Sequence, residues 1–254
     1  FFKGLSQQKF RRCVAMTINA SGLEFKELNE RIRNTGEDVE IKECMGQRFI
    51  ASGLSWKHIK ISGVPGNALG AYLNGAEISV FANAQDAVGD TMNDGGIYIY
   101  GNIGDAAGYA MRGGEIFVKG NAGYRAGIHM KAYKEKHPTL VIGGRCGSFL
   151  GEYQAGGTIV VLGLNEDGKN IVGNFPCTGM HGGKMFLRGT CDNIKFPQQV
   201  TTHIASDDEK SEIEDLLKRF CDMYGLNFSD IYNEKFTVVL PDTKNPFKQM
   251  YVTN

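Results

Sequence analysis

Apolar and polar positions alternate in short runs through the middle of this chain. Residues 77–81 (EISVF), 97–100 (IYIY), 115–119 (EIFVK), 140–142 (LVI), 158–162 (TIVVL) and 185–187 (MFL) are bounded by glycines and rich in β-branched and aromatic side chains. Such runs predict strands and are too short for helices. Successive side chains of a strand face opposite sides. One phase holds Ile78, Val80, Ile97, Ile99, Ile116, Val118, Leu140, Ile142, Ile159 and Val161, the expected core. The other reads Ser79, Tyr98, Phe117, Val141, Val160 and Phe186, apolar where a solvated face would be polar. Strands apolar on both faces are covered on both. This stripe is therefore expected to lie under the chain's own terminal segments, or to be an interface with a partner subunit or a second copy.

Outside this region the period changes. Phe25, Leu28 and Ile32 fall on one helical face, opened by a capping-box pattern from Ser21 to Glu24 and ending near Gly36. Ile213, Leu216, Leu217, Phe220 and Tyr224 predict a longer helix, opened by a second capping box from Ser206 to Glu209 and closed by Gly225. Strands are expected at 14–19, 39–41, 59–61 and 236–240, before a proline-punctuated tail to residue 254.

The strands belong to a repeat. An octet of the form G-x-x-G-x-x-x-G occurs as GVPGNALG from Gly63, GNIGDAAG from Gly101, GNAGYRAG from Gly120 and GRCGSFLG from Gly144, with a degenerate ANAQDAVG from Ala82. The octets from 63 to 120 start 19 residues apart, and the later units carry insertions. After each octet an apolar residue returns in phase: Leu73, Met92, Met111, Met130 and Met180, with Gln154 the exception. A strand that returns after a fixed interval beside its predecessor must be parallel to it. The repeat thus predicts an all-β parallel solenoid of about 19 residues per coil, with helices confined to its ends. The structural glycines are Gly63, Gly66, Gly70, Gly101, Gly104, Gly108, Gly120, Gly123, Gly127, Gly144, Gly147 and Gly151. They are expected to supply positive φ at the corners and to let coils approach closely. A nucleotide-binding glycine loop is disfavoured, because no unit has the strand–GxGxxG–helix context. The organisation expected is an N-terminal cap over 1–62, the β-helix over 63–200, and a C-terminal helix and tail over 201–254 packed on the solenoid.

Composition narrows the function. Net formal charge is zero, which argues against nucleic-acid tracking. No apolar run reaches the roughly 18 residues of a membrane span. Cys13, Cys44, Cys146, Cys177, Cys191 and Cys221 are scattered, without C-x-x-C or zinc-type spacing. Reduced thiols in a cytoplasmic protein are the expectation, and an iron–sulfur site the alternative.

Residues one repeat apart should stack, so the repeat is also a contact map. Asn83, Asn102 and Asn121 share a phase and predict a ladder of side-chain amides. Asp86 and Asp105 share another. Two neighbouring carboxylates could do acid–base chemistry on a polysaccharide, yet Asn67 one coil earlier marks the phase as a turn position. His129 and His137 flank an inserted, lysine-rich loop over 130–138 that includes Lys131. Insertions in solenoids gather on the binding face, so His129 and Lys131 join Tyr98, Phe117, Val141, Val160 and Phe186 as candidate interface residues.

The runs ANAQDAVGDTMNDG, GDAAGYAMRGG, GYRAGIHMK and FLGEYQAGG, with CTGMHGG at 177–183, resemble the C-terminal GXGXG domain of the glutamate synthase large subunit. The likeness is to its stand-alone version, covers most of the chain, and extends to one of the subunits of formylmethanofuran dehydrogenase. It implies a right-handed parallel β-helix with an architectural role, bracing a glutaminase and a flavin and iron–sulfur synthase. It implies no catalytic, cofactor-binding or metal-ligating residue in this chain. The partners it implies are the glutaminase and synthase subunits of a split enzyme, with self-association as the other expectation. Departures from the pattern are Gln154 in the Met row and Cys177 where glycine is familiar.

Overall fold

In the computed structural model, which describes residues 15–164 and 168–242, eleven strands form one sheet. The strands β1 (Met16–Asn19), β2 (Val39–Met45), β3 (His58–Val64), β4 (Asn74–Val80), β5 (Asp94–Ile99), β6 (Glu115–Val118), β7 (Thr139–Ile142), β8 (Ala155–Val161) and β9 (Gly182–Arg188) follow one another in chain order. Every pair from β1 to β9 is parallel. The chain therefore makes one circuit between strands, giving a parallel β-solenoid of about 8 turns. The register is the one the repeat predicts: Ile59, Ile78, Ile97, Ile116, Leu140, Ile159 and Met185 lie opposite one another in turn. The longer units keep this register, and the inserted loop over 130–138 lies outside the named strands. All ten expected core residues of the strands are fully buried, as are Leu73, Met92, Met111 and Met130. Burial of each such side chain contributes about 1.5–3 kcal/mol.

Parallel pairing runs back through β3 and β2 to β1, so the sheet crosses the boundary expected at 62/63. The coil before Gly63 is the degenerate one that the strand at 59–61, 19 residues before Ile78–Val80, points to, and it lacks the glycine octet because its corner is built from other residues. Phe49, Ala51 and Gly53 take positive φ there, as Ala68, Gly70 and Tyr72 do one coil on. The helix α1 (Phe25–Asn34) buries Leu28 and Ile32 in the solenoid core beside Ile18 and Val39. Its expected capping box does not form. Glu24 is the N-cap without a side-chain bond, because Ser21 and Gly22 are used in a turn whose Ser21 N–H donates to Asn19 Oδ1 at 2.8 Å. Lys57 closes the other end of α1. Its buried Nζ donates to the carbonyls of Ile32 and Thr35, each at 2.7 Å.

The C-terminal segment differs more. The second capping box forms, with Glu209 N–H on Ser206 Oγ and Ser206 N–H on the Glu209 carboxylate. The helix it opens stops at Ser211, so the single predicted helix is two: α2 (Asp207–Ser211) and α3 (Glu214–Tyr224). The break turns Ile213 against the sheet, where it is buried. Gly225 ends α3 in the left-handed region, as its position suggested. A further helix, α4 (Phe228–Tyr232), and the strand β10 (Val200–Ile204) were not expected. The last strand, β11 (Phe236–Pro241), inserts antiparallel between β9 and β10. The parallel stack therefore passes into an antiparallel end piece. Cys13, residue 14 of the first expected strand, and the tail over 243–254 lie outside the described residues.

Candidate interaction faces

The sheet's apolar stripe is an internal surface. Phe117, Val141, Val160 and Phe186 are fully buried, packed with Ile213, Leu217 and Phe220 of the C-terminal helices and with Phe236 and Val238 of β11. Tyr98, at the stripe's edge, is half-buried, and its hydroxyl donates to Glu115 Oε1 at 2.8 Å. Arg219 of α3 clamps the same carboxylate through Nη1 at 2.6–2.7 Å. Burial and the Glu115 charge raise the Tyr98 phenol well above its ordinary pKa. Phe117, Val141, Val160 and Phe186 are thus withdrawn as interface residues, because α3, Ile213 and β11 occupy the surface they would offer, while Tyr98 stays half-exposed at its edge. Sequence spacing could not show this, since it does not say where a terminal helix docks.

The opposite corner is built differently. Its register follows from bridges joining Ala84 to Ile103, Ala122 to Cys146 and Cys146 to Val172. Three alternate residues of each corner take positive φ, as in Arg125, Gly127 and His129, or Phe149, Gly151 and Tyr153. The middle residue faces the lumen: a Cβ on Gly127 would stand 2.5 Å from Ile159 Cδ1. The outer two face away and tolerate side chains, at an intrinsic cost of about 1–2 kcal/mol each. Backbone bonds to both neighbours hold them. Arg125 and His129 N–H donate forward to Ser148 and Glu152, and Gly127 N–H donates back to Ala107.

Other octet glycines do the second task expected of them, the close approach of coils, without positive φ. Gly104 and Gly123 are not left-handed; a Cβ there would collide with Asp86 Oδ1 and Asp105 Oδ1 respectively. Those oxygens form ladders between coils. Asn83 Oδ1 accepts Asn102 N–H at 2.8 Å, Asn102 Oδ1 accepts Asn121 N–H at 2.7 Å, and Asn121 Oδ1 accepts Arg145 N–H at 2.8 Å. The predicted amide-to-amide ladder is therefore chiefly a side-chain-to-backbone ladder. Asn67, Asp86 and Asp105 form a second one, accepting Asp86, Asp105 and Tyr124 N–H in turn. This gives the aspartates a turn role that Asn67 shares.

This corner carries an aromatic surface, with Phe49, Tyr72, Tyr153 and Phe175 on its outer positive-φ positions and Tyr109 and Tyr124 beside them. All six are exposed large apolar residues. Phe149 stacks on Phe175 at 5.4 Å, and the Arg125 guanidinium lies 5.0 Å over Phe149. His129 stacks nearly parallel on Tyr153 at 5.1 Å, with Tyr109 edge-on to it at 6.0 Å. His129 and Lys131 are exposed. The phase Tyr72, Thr91, Ala110, His129, Tyr153 shows no shared chemistry in sequence. What its members share is a backbone conformation that turns them outward.

The interior holds few polar groups. Gln154, in the Met row, is fully buried; its Nε2 donates to the carbonyls of Gly156 and Gly157, while Oε1 has no partner. Burial pushes the Cys44 thiol up to about 11 and the Cys177 thiol up to about 12, and raises that of Cys146 as well. Cys177 occupies the inward, positive-φ corner position that glycine holds in other coils, with Sγ 3.8 Å from Met185 Sδ. Among the described residues no group of three or more His, Cys, Asp or Glu is placed to hold a metal ion. None of the described helices is long and apolar enough to cross a membrane. A cleft of about 520 Å³ between the inserted loop and α3 contains His137, Lys184 and Arg219. Each is already bonded, to Thr158, Glu212 and Glu115 respectively.

Three comparisons bear on this architecture. A family model described as the GXGXG motif matches residues 23–245. The uncharacterized protein MJ1350 of Methanocaldococcus jannaschii is 42% identical over 250 residues, covering 93% of this chain and 96% of that protein. Among solved structures, a chain of the formyltransferase/hydrolase complex (FhcABCD) from Methylorubrum extorquens, crystallised with methylofuran, superimposes with a TM-score of 0.61 at 18% identity. The match covers 88% of this chain and 86% of that one.

Proposed function

The chain belongs to the GXGXG motif family, and from that premise we propose that it is a structural, non-catalytic subunit of a multi-subunit enzyme, docking its partners on the aromatic corner. One observation carries the reading. The apolar sheet face is covered by the chain's own helices, whereas six exposed aromatic side chains share the uncovered corner. Tyrosine, phenylalanine and arginine are the residues enriched in interface cores. The assembly proposed is glutamate-synthase-like, with the solenoid bracing a glutaminase and a flavin and iron–sulfur synthase. The motif runs from Ala82 to Gly183 support it. A second reading, a formyl-transferring complex, draws support from the solenoid of matching length in the Methylorubrum complex.

Affinity purification of the tagged chain from its native cell tests both. Recovery of glutaminase and synthase subunits supports the first reading, and of formyltransferase and hydrolase subunits the second. Phe149→Ser with Phe175→Ser should abolish either association while the isolated chain keeps its melting temperature. Recovery undiminished by that double substitution would remove the corner from the proposal.

A further inference from the structure

The inserted loop creates a second feature on this corner's flank. Asn74, Asn93, Arg112 and Lys131 occupy one position in four successive coils: each N–H donates to the residue of the inward Met row one coil before, Leu54, Leu73, Met92 and Met111. The loop folds back beside this column. Tyr133 and Lys136 bond each other through their backbones, and Lys136 Nζ reaches Asp94 at 3.0 Å. Between loop and column lies a cleft of about 400 Å³, lined by Tyr72, Asn74, Asn93, Arg112, Tyr133 and Lys136. That volume suits a small organic molecule.

The charges in this cleft are unevenly matched. Asp94 neutralises Lys136. The Arg112 guanidinium makes no hydrogen bond or ion pair to any described residue, and neither do the Tyr72 and Tyr133 hydroxyls. In the cleft beside α3, by contrast, Lys184 and Arg219 are both held by carboxylates. Lys131, exposed one coil beyond Arg112, has its backbone on the order of 5 Å further along the stack. Tyr72 and Tyr133 are both half-exposed and offer ring surface as well as donors.

We propose that this cleft binds a small organic anion, with its carboxylate or phosphate oxygens on the Arg112 guanidinium and its apolar body against Tyr72 and Tyr133. A guanidinium presents two parallel N–H donors to such a group, which a neutral lining cannot replace. The aromatic rings then favour an anion that carries a planar or apolar portion over a bare one.

Isothermal titration calorimetry on the full chain, with phenyl phosphate and inorganic phosphate as probes, tests this. Phenyl phosphate should bind saturably at millimolar concentration, and more tightly than inorganic phosphate. Arg112→Ala should weaken it at least tenfold, with the melting temperature unchanged because the side chain is exposed. Tyr72→Ala should lower the affinity for phenyl phosphate alone. Lys60→Ala, an exposed lysine on β3 outside the cleft, should change neither. Absence of saturable binding overturns the proposal. So does binding that survives Arg112→Ala, or that falls equally in Lys60→Ala. Equal affinity for the two probes overturns the role given to the tyrosines.

Discussion

Asp86 Oδ1 accepts the backbone N–H of Asp105 at 2.8 Å, one coil further along the solenoid. Stacked one coil apart, each of the two aspartates bonds a turn amide of the next coil through Oδ1. Asp105 repeats the arrangement with Tyr124 N–H at 2.7 Å.

A ladder of this kind needs an oxygen, not a charge. Asp105→Asn should therefore leave stability within about 0.5 kcal/mol of the parent, whereas Asp105→Ala should cost about 0.5–1.5 kcal/mol. Urea unfolding at neutral pH reads both. A polysaccharide-cleaving activity that disappears in Asp86→Asn would show that the carboxylate does more than accept a bond.

Gly104 is glycine because the Asp86 oxygen occupies the space of its Cβ. Gly104→Ala should cost about 1–3 kcal/mol through overpacking. Removing the obstacle should recover part of it, so Gly104→Ala should cost less in an Asp86→Ala background. Equal costs in the two backgrounds would place the strain elsewhere.

Phe117→Ser removes a fully buried ring that packs on Phe220 at 5.7 Å and lies beneath Arg219. A loss of about 3–5 kcal/mol is expected from the cavity and transfer effects. Amides of α3 should lose hydrogen-exchange protection along with the global stability. An unchanged monomer that no longer assembles would mean that the stripe serves a partner after all.

Lys57 spans the end of α1, holding the carbonyls of Ile32 and Thr35. Lys57→Met leaves both without a donor and should cost about 1–3 kcal/mol. The loss should appear as earlier exchange or proteolysis of α1 than of the central coils.

Burial raises the Cys177 thiol from 9.0 to about 12. The folded state keeps the proton in that interval while the unfolded chain releases it. The contribution is complete below 9.0 and declines as pH rises towards about 12. Cys177→Ala should therefore show a shallower alkaline loss of stability than the parent. Parallel pH profiles for the two proteins would contradict it.

What the sequence determined is everything that depends on repetition along the chain. A strand recurring in phase with Ile78, Ile97 and Ile116 must stack in parallel register. The same arithmetic yields the Met row and brings Asn83 beside Asn102 and Asp86 beside Asp105, because a solenoid turns sequence separation directly into spatial neighbourhood. Tertiary structure decided what does not repeat. Helix α3, together with Ile213 and β11, covers Phe117 and Phe186, a contact between segments far apart in the chain. The break at Ile213 and the insertion of β11 between β9 and β10 follow from closing the end of the sheet. The outward aromatic corner was hidden for a different reason. Alternating left-handed residues such as Arg125, Gly127 and His129 reverse the facing that a glycine count alone suggests, and only the backbone path shows which of them points into the lumen.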